Sequence, residues 1–419
     1  MKNKFFAVFL ILSCLFLSGC DYSHEITDMA YAVALGLDKG NDGIRLSLQF
    51  ARPLSIADVG GGEEDSSGVA SGGGTGEDET ATKNKNTTML SIDAEDVYTA
   101  ISAAESSLSK RINLSHTKLV LFSAELAREG IRDYVTLFMK NSQFSPNTYT
   151  AVSLCSAEEY MRTVSPTLEI NPAKYYTLIF SQSNGDFMPS TSLRELYFSL
   201  SALGREPVLP AANVSRNAHS LSARALRGDY EAGEMAKGSE NRTDVSGMAV
   251  FSGGRLTHIL SSHDAMAYHM LTGQLRESYL TLPSETQEGK YIVLRLTQPK
   301  RPKRRVTALG ERPQITAQVP LAAEIAECPE SDLQMLGLEG LNQMASEEVS
   351  SRLESFLLIS AELCRADVVG FGEIAKMRFS DFPAWQEYDW PQKYPNADFS
   401  AAAQVRISRE GLVQEQAGQ

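Results

Sequence analysis

The chain has 419 residues, 42% of them hydrophobic and 22% charged, with a formal net charge of −13. That length exceeds what one hydrophobic core organises, so two or three domains are expected. The acidic balance excludes nucleic acid as a partner and excludes broad electrostatic attachment to an anionic membrane.

Lys2 and Lys4 precede an almost unbroken apolar run, Phe5 to Phe16. The run is about a dozen residues, too short for a bilayer core that needs about 20, and it has the build of a secretory signal. Leu17, Ser18, Gly19 and Cys20 follow, and the chain turns polar at once. This tetrad resembles the lipobox of bacterial lipoproteins. A thiol is the nucleophile that takes a diacylglycerol, and small residues before it give a peptidase access. The reading makes 1–19 a lipoprotein signal peptide and Cys20 the first mature residue, anchored by its acyl chains. Cys14 leaves with the signal. The remaining cysteines, Cys155, Cys328 and Cys364, are odd in number, far apart and without CxxC spacing, which fits small buried hydrophobes better than disulfides.

"YAVALGLDKGNDGIRLSLQFAR", from Tyr31 to Arg52, reads as a β-hairpin with Ile44, Leu46, Leu48 and Phe50 on one face. Residues 59–86 lack aromatics and carry two triplets of glycine, which marks a flexible loop. No Gly-Lys-Ser/Thr follows to make a phosphate loop. "SIDAEDVYTAISAAESSL" has helical spacing, with Val97, Ile101, Ala104 and Leu108 on one side and Asp93 as a cap. "HTKLVLFS" and "TYTAVSLC" read as strands, and "AELAREGIRDYVTLFMKN" between them as helix broken near Gly130. Helical segments follow near 156–163, 173–182 and 192–203, and "EPVLPAANV" closes the region with two prolines. "VSGMAVFSGGRLTHIL" is a hairpin with a Gly-Gly turn, and "SSHDAMAYHMLTG" a helix capped by Ser or Asp and stopped by Gly273. "KYIVLRLT", "RRVTALG" and "PQITAQVPLAAEIAEC" read as strands. A long amphipathic helix from Leu333 to Leu363 places Leu341, Ala345, Val349, Leu353, Phe356 and Leu363 on one stripe. "FSAAAQVRIS" is a final strand. The expected fold is mixed α/β and α+β in three domains, with mixed sheets flanked by helices. The N-terminal α/β domain covers 20–210, a middle unit with hairpin and helix 211–285, and an α+β unit with the long helix 286–419.

Chemistry-bearing residues are sparse. His258, His263 and His269 are spaced by five and six, which does not stack them on one helical face as metal ligands. His116 begins an apolar strand beside Lys118, where a backbone-bonded histidine is expected. Gly370-Phe371-Gly372 lacks the third glycine of a dinucleotide loop and reads as a tight turn. No catalytic set, metal site or cofactor is indicated. Lys300, Arg301, Lys303, Arg304 and Arg305 form the one basic cluster of an acidic chain. It reads as a solvated connection, or as a contact with lipid headgroups or an acidic partner surface. Trp385 and Trp390, with Phe382, Tyr388 and Tyr394, read as an aromatic cluster that returns the C-terminal segment to the sheet.

Several stretches in order resemble one family, the C subunits of spore germination receptors, the GerAC-like lipoproteins. They are "LSGCDYSHEI", "ALGLDKGNDGIRLSLQFARP", "SHTKLVLFSAELAREGIRDYVTLFMKN", "GMAVFSGGRLTHIL" and "RADVVGFGEIAKMRFSDFPAWQEYDW". Asp21 and Tyr22 stand where the family usually has Trp, and the glycine-rich insert is longer than the family's. The resemblance implies a three-domain mixed α/β lipoprotein on the outer face of the inner spore membrane. It implies integral-membrane A and B subunits as partners in a nutrient receptor; the expectation that the chain is not an enzyme rests on the missing catalytic set. The other class that the signal and anchor would fit is a lipid-anchored solute-binding protein of a transporter, which would show two similar βα lobes around a cleft.

Overall fold

The computed structural model describes residues 29–51 and 87–408, apart from 167, 170, 182–186, 216–224, 226–227 and 236–238. The lipobox residues Leu17, Ser18, Gly19 and Cys20 and the 59–86 loop lie outside the described residues.

Two sheets organise the chain. The first has β1 (Met29–Gly40), β2 (Gly43–Ala51), β3 (Thr87–Ala94), β4 (Arg111–Asn113), β5 (Leu119–Ser123), β6 (Tyr149–Ser153), β7 (Val208–Val214), β8 (Thr243–Ser252) and β9 (Arg255–Leu260). Their order is β3-β2-β1-β5-β6-β7-β8-β9, with β4 beside β1. The four central strands run parallel, and an antiparallel hairpin closes each side. Parallel strands are buried on both faces, and β5 shows it: all five of its residues are buried. Val120 and Phe122 face a core built with α1 (Val97–Ser107), α2 (Ala124–Glu129), α3 (Arg132–Lys140) and α6 (Leu193–Ser201). Leu119 and Leu121 face the opposite core, built with α4 (Ala157–Thr163) and α5 (Pro172–Phe180).

The second sheet has β10 (Glu277–Pro283), β11 (Tyr291–Thr297), β12 (Lys303–Thr307), β13 (Gln314–Glu327) and β14 (Asp398–Ile407). One face is solvated. The other packs on α8 (Glu330–Leu358) and on α7 (Ser262–Thr272), whose residues 265–271 are all buried. A helix buried all round needs apolar neighbours on every side. For α7 these come from β7 and β8 of the first sheet and from the second sheet, so one core spans both. The segment 211–285, expected as a middle unit, therefore shares a sheet with the strands before it and a core with those after it. The boundary at 210 falls inside β7.

Three local readings are corrected. Ser91–Ala94 belong to β3, paired with β2, and not to the helix; Asp96, not Asp93, is the cap and accepts from Tyr98 N and Thr99 N. Sheet pairing overrides a segment whose helical spacing begins only at Val97. "EPVLPAANV" supplies β7. Pro210 is tolerated there because the ladder with β8 slips between Pro210 and Ala212. Leu363 leaves the predicted stripe and is 54% exposed. A π-helical turn over Ile359–Leu363 rotates the helix end, so Ser360 and Ala361 face inward instead.

β14 lies parallel to β13 and would otherwise be an open edge. Helix α8 seals it. Asn342 Oδ1, Ser346 Oγ, Ser350 Oγ and Glu354 Oε1 accept from the backbone N–H groups of Ile407, Val405, Ala403 and Ala401, at 2.7, 3.0, 2.8 and 3.2 Å. The match is geometric: four helical residues rise ~6 Å and two strand residues ~6.7 Å. Removing one rung leaves a strand N–H unpaired, so Ser350→Ala is expected to cost about 1–3 kcal/mol in urea unfolding. Glu347→Ala, on a position outside the ladder, should change stability by less than about 0.5 kcal/mol. Equal stability of the two variants would show that the ladder carries no weight.

Candidate functional site at the junction of the two sheets

Asp367 lies in the segment after α8 and is 4% exposed. An uncompensated buried carboxylate is expensive, and here its oxygens are saturated. They accept from Gly370 N at 2.8 Å, Gly372 N at 2.7 Å and Trp390 Nε1 at 2.9 Å. Burial raises its pKa, and these donors oppose the rise. The "GFG" stretch is thus a carboxylate-binding turn, opening α9 (Phe371–Lys376). Gly370 has φ +84°, open to glycine. Gly372 is required for space: a Cβ there would stand 2.5 Å from Trp390 Nε1 and 2.6 Å from the Cα of Gly204.

Gly204 belongs to the first half of the chain, so the two halves meet backbone to backbone. Glu206 N also donates to the Asp367 carbonyl at 2.9 Å. Arg205 donates through Nη2 to the Tyr268 hydroxyl on α7 at 2.9 Å, and Arg304 through Nη1 to the Val369 carbonyl at 2.7 Å. Both guanidiniums act on Asp367. Arg304 therefore parts from the rest of the predicted basic cluster. Lys303, Arg304 and Arg305 belong to β12, and strand alternation turns Arg304 inward while Lys303 and Arg305 stay exposed with Lys300 and Arg301. The cross-strand partners of Lys303 and Arg305 are Gln318 and Thr316, both uncharged.

The aromatic cluster forms as expected. Trp385 of α10 (Phe382–Tyr388) lies 6.0 Å from Trp390 of α11 (Trp390–Lys393) between ring centres. Trp390 reaches Tyr394 at 5.9 Å, and Tyr394 meets Phe399 of β14 at 5.5 Å. Phe382 stands outside this chain of rings, 48% exposed beneath Lys376.

Beside the junction lies a cleft of ≈ 360 Å³ lined by Arg132, Arg205, Glu206, Arg365 and Asp367, with Leu200, Leu203, Trp390 and Tyr394 as apolar wall. Burial pushes the Glu206 carboxyl up to about 7, against an N–H bond from Gly253 and the charge of Arg132. None of Arg132, Arg205, Glu206 or Arg365 carried a sequence signal. They are single charges in unrelated elements, and only the fold converges them.

The histidines separate. His258 lies in β9 and His263 in the first turn of α7. His269 is buried and donates Nε2–H to the Met188 carbonyl at 2.9 Å. His116 is exposed and packs on Tyr31, ring centres 4.6 Å apart, rather than bonding at a strand edge. Among the described residues no group of three or more His, Cys, Asp or Glu is placed to hold a metal. Two Ser-x-x-Lys tetrads, Ser107–Lys110 and Ser115–Lys118, sit at exposed positions with both serine hydroxyls bonded locally, to Ala104 O and Asn113 Oδ1.

The Gly-Leu-Asp stretch of β1 also has a physical role. A Cβ on Gly36 would stand 2.9 Å from Ala157 Cβ, so glycine lets α4 sit close to the sheet. Asp38 then caps α4 from across the fold, accepting from Ala157 N at 2.6 Å and Glu158 N at 3.0 Å.

Fold and junction define a protein of two unlike sheets joined through one buried, glycine-lined carboxylate. Residues 22–214 match the spore germination protein N-terminal domain, and residues 246–411 match the spore germination B3/GerAC-like C-terminal domain. The chain belongs to this family of spore germination proteins. It is 23% identical to spore germination protein KC of Bacillus subtilis (strain 168), over 98% of this chain and 97% of that one. The crystal structure of the GerBC protein aligns with a TM-score of 0.49 at 12% identity, covering 89% of this chain and 96% of that chain.

Two outcomes follow at the junction. Gly372→Ala is expected to lose about 1–3 kcal/mol or more, because neither Trp390 nor the Gly204 backbone has room to yield. Gly310→Ala, with open space around it, should stay within about 0.5 kcal/mol. Glu206 has a folded pKa of about 7 against 4.5 for the free group. Between those values the folded chain holds a proton that the unfolded chain has released, so stability falls as pH rises and the loss is complete above about 7. Glu206→Gln should thus match wild type near pH 4 and exceed it by on the order of 2 kcal/mol near pH 8. A pH-independent difference would contradict the assignment.

Proposed function

We propose that this chain is the lipid-anchored, non-catalytic C subunit of a nutrient germinant receptor, held by acyl chains on Cys20 at the outer face of the inner spore membrane. Integral-membrane A and B subunits are its partners. The observation that carries the reading is the family match in both halves of the chain, with spore germination protein KC aligned over nearly its whole length. No helix among the described residues is long and apolar enough to cross a membrane, so in this role attachment falls to Cys20. The solute-binding alternative is not favoured: a nine-stranded mixed sheet and a five-stranded sheet are not two like lobes.

In the same proposal Lys300, Arg301, Lys303 and Arg305 rest on anionic headgroups, orienting the tethered chain. Each basic residue near such a surface contributes about 1 kcal/mol. Arg304 is excluded because its guanidinium serves the interior.

Spores carrying Cys20→Ala, and spores lacking the chain, are expected to lose dipicolinic acid release to the same nutrient class. A normal response in both would contradict the receptor role. Reversing the four exposed charges to Glu should lower the response while the chain still fractionates with membrane. An unchanged response would remove the headgroup contact, and loss of co-purification with the membrane subunits at unchanged lipid binding would assign the patch to an acidic partner instead.

A further inference from the structure

We infer that the cleft between the two sheets binds a small organic carboxylate with an apolar body. The inference stands on the cleft alone, so it can fail while the receptor role holds, and the reverse.

The lining is cationic in a chain of net charge −13. Arg132, Arg205 and Arg365 converge on it from α3, the segment before β7 and the segment after α8. The two carboxyls there cancel them only in part. Asp367 offsets Arg205, burial favours the neutral form of Glu206, and the lining keeps a positive balance through Arg132 and Arg365. Among the described residues, Arg205 Nε is a buried donor with no hydrogen-bond partner. Such a group costs free energy unless a ligand or water meets it.

Guanidinium groups pair with carboxylates through parallel N–H bonds, which sets the polar end of the ligand. The apolar wall of Leu200, Leu203, Trp390 and Tyr394 sets the other end and disfavours a bare inorganic anion. A volume of ≈ 360 Å³ is at the small end of ligand pockets and fits a single ring or a short aliphatic body.

Benzoate is a suitable probe, with benzamide as its uncharged isostere and inorganic phosphate as the bare anion, titrated calorimetrically into the full chain in detergent at about pH 6.5. Benzoate should bind saturably, and benzamide and phosphate at least about tenfold more weakly. Arg132→Ala with Arg365→Ala should weaken benzoate by about tenfold or more. If that double variant fails to fold, Arg365→Gln alone, at an exposed position, should still weaken benzoate several-fold. Absence of saturable benzoate binding up to about 10 mM, equal affinity for benzamide, or an affinity unmoved by the arginine variants would overturn the inference.

Discussion

A carboxylate buried at the meeting point of two sheets constrains everything around it. Asp367 is tolerated only because three N–H donors converge on it, and each of those donors imposes a demand. Two come from backbone that must turn through Gly370 and pass beneath Trp390 at Gly372 with no side chain. The third fixes the indole of Trp390, and through it Tyr394, Phe399 and the start of β14. Once that turn is in place, Gly204 can lie against it, Glu206 can bond the Asp367 carbonyl, and Arg205 and Arg304 can approach from opposite halves of the chain. The largest apolar core, with α7 at its centre, is shared across the same plane. Polar and apolar contacts therefore join the two sheets at one place.

This arrangement suits the proposed role. In that role a tether at Cys20 would fix where the chain is and leave its orientation free. The solvated face of the second sheet carries Lys303 and Arg305, whose cross-strand partners Gln318 and Thr316 are uncharged. The side chains of α8 keep the edge of β14 from pairing with another strand. The cleft opens beside the joint itself, so a ligand there would touch groups from both halves.

Much of the fold was legible in the sequence for identifiable reasons. The hairpins of β1–β2 and β8–β9 announce themselves by alternation around Gly-containing turns, and α7 by a Ser cap and a Gly stop. The stripe of α8 holds from Leu341 to Phe356 and fails at Leu363, where helical period itself changes. β3 and β7 were missed because pairing partners far along the chain decide them, and no local pattern reports a partner. The same limit hides the cleft. Basic residues adjacent in sequence, from Lys300 to Arg305, are conspicuous, yet Arg304 serves the interior. Arg132, Glu206 and Arg365 are inconspicuous, yet the topology gathers them. The aromatic cluster was legible because its members are close neighbours in the chain. The family motifs gained physical content only from contacts: Gly36 from the approach of α4, Asp38 from its cap, and Gly372 from the indole above it.

The central claim is that the Asp367 joint makes the two sheets one cooperative body. Scanning calorimetry of the full chain with Asp367→Ala tests it most directly. Wild type should unfold in a single transition. The variant, with the glycine turn and Trp390 released and two arginines left facing an empty site, should unfold in two, the first well below the wild-type midpoint. A single transition in the variant, at a midpoint close to wild type, would contradict the account.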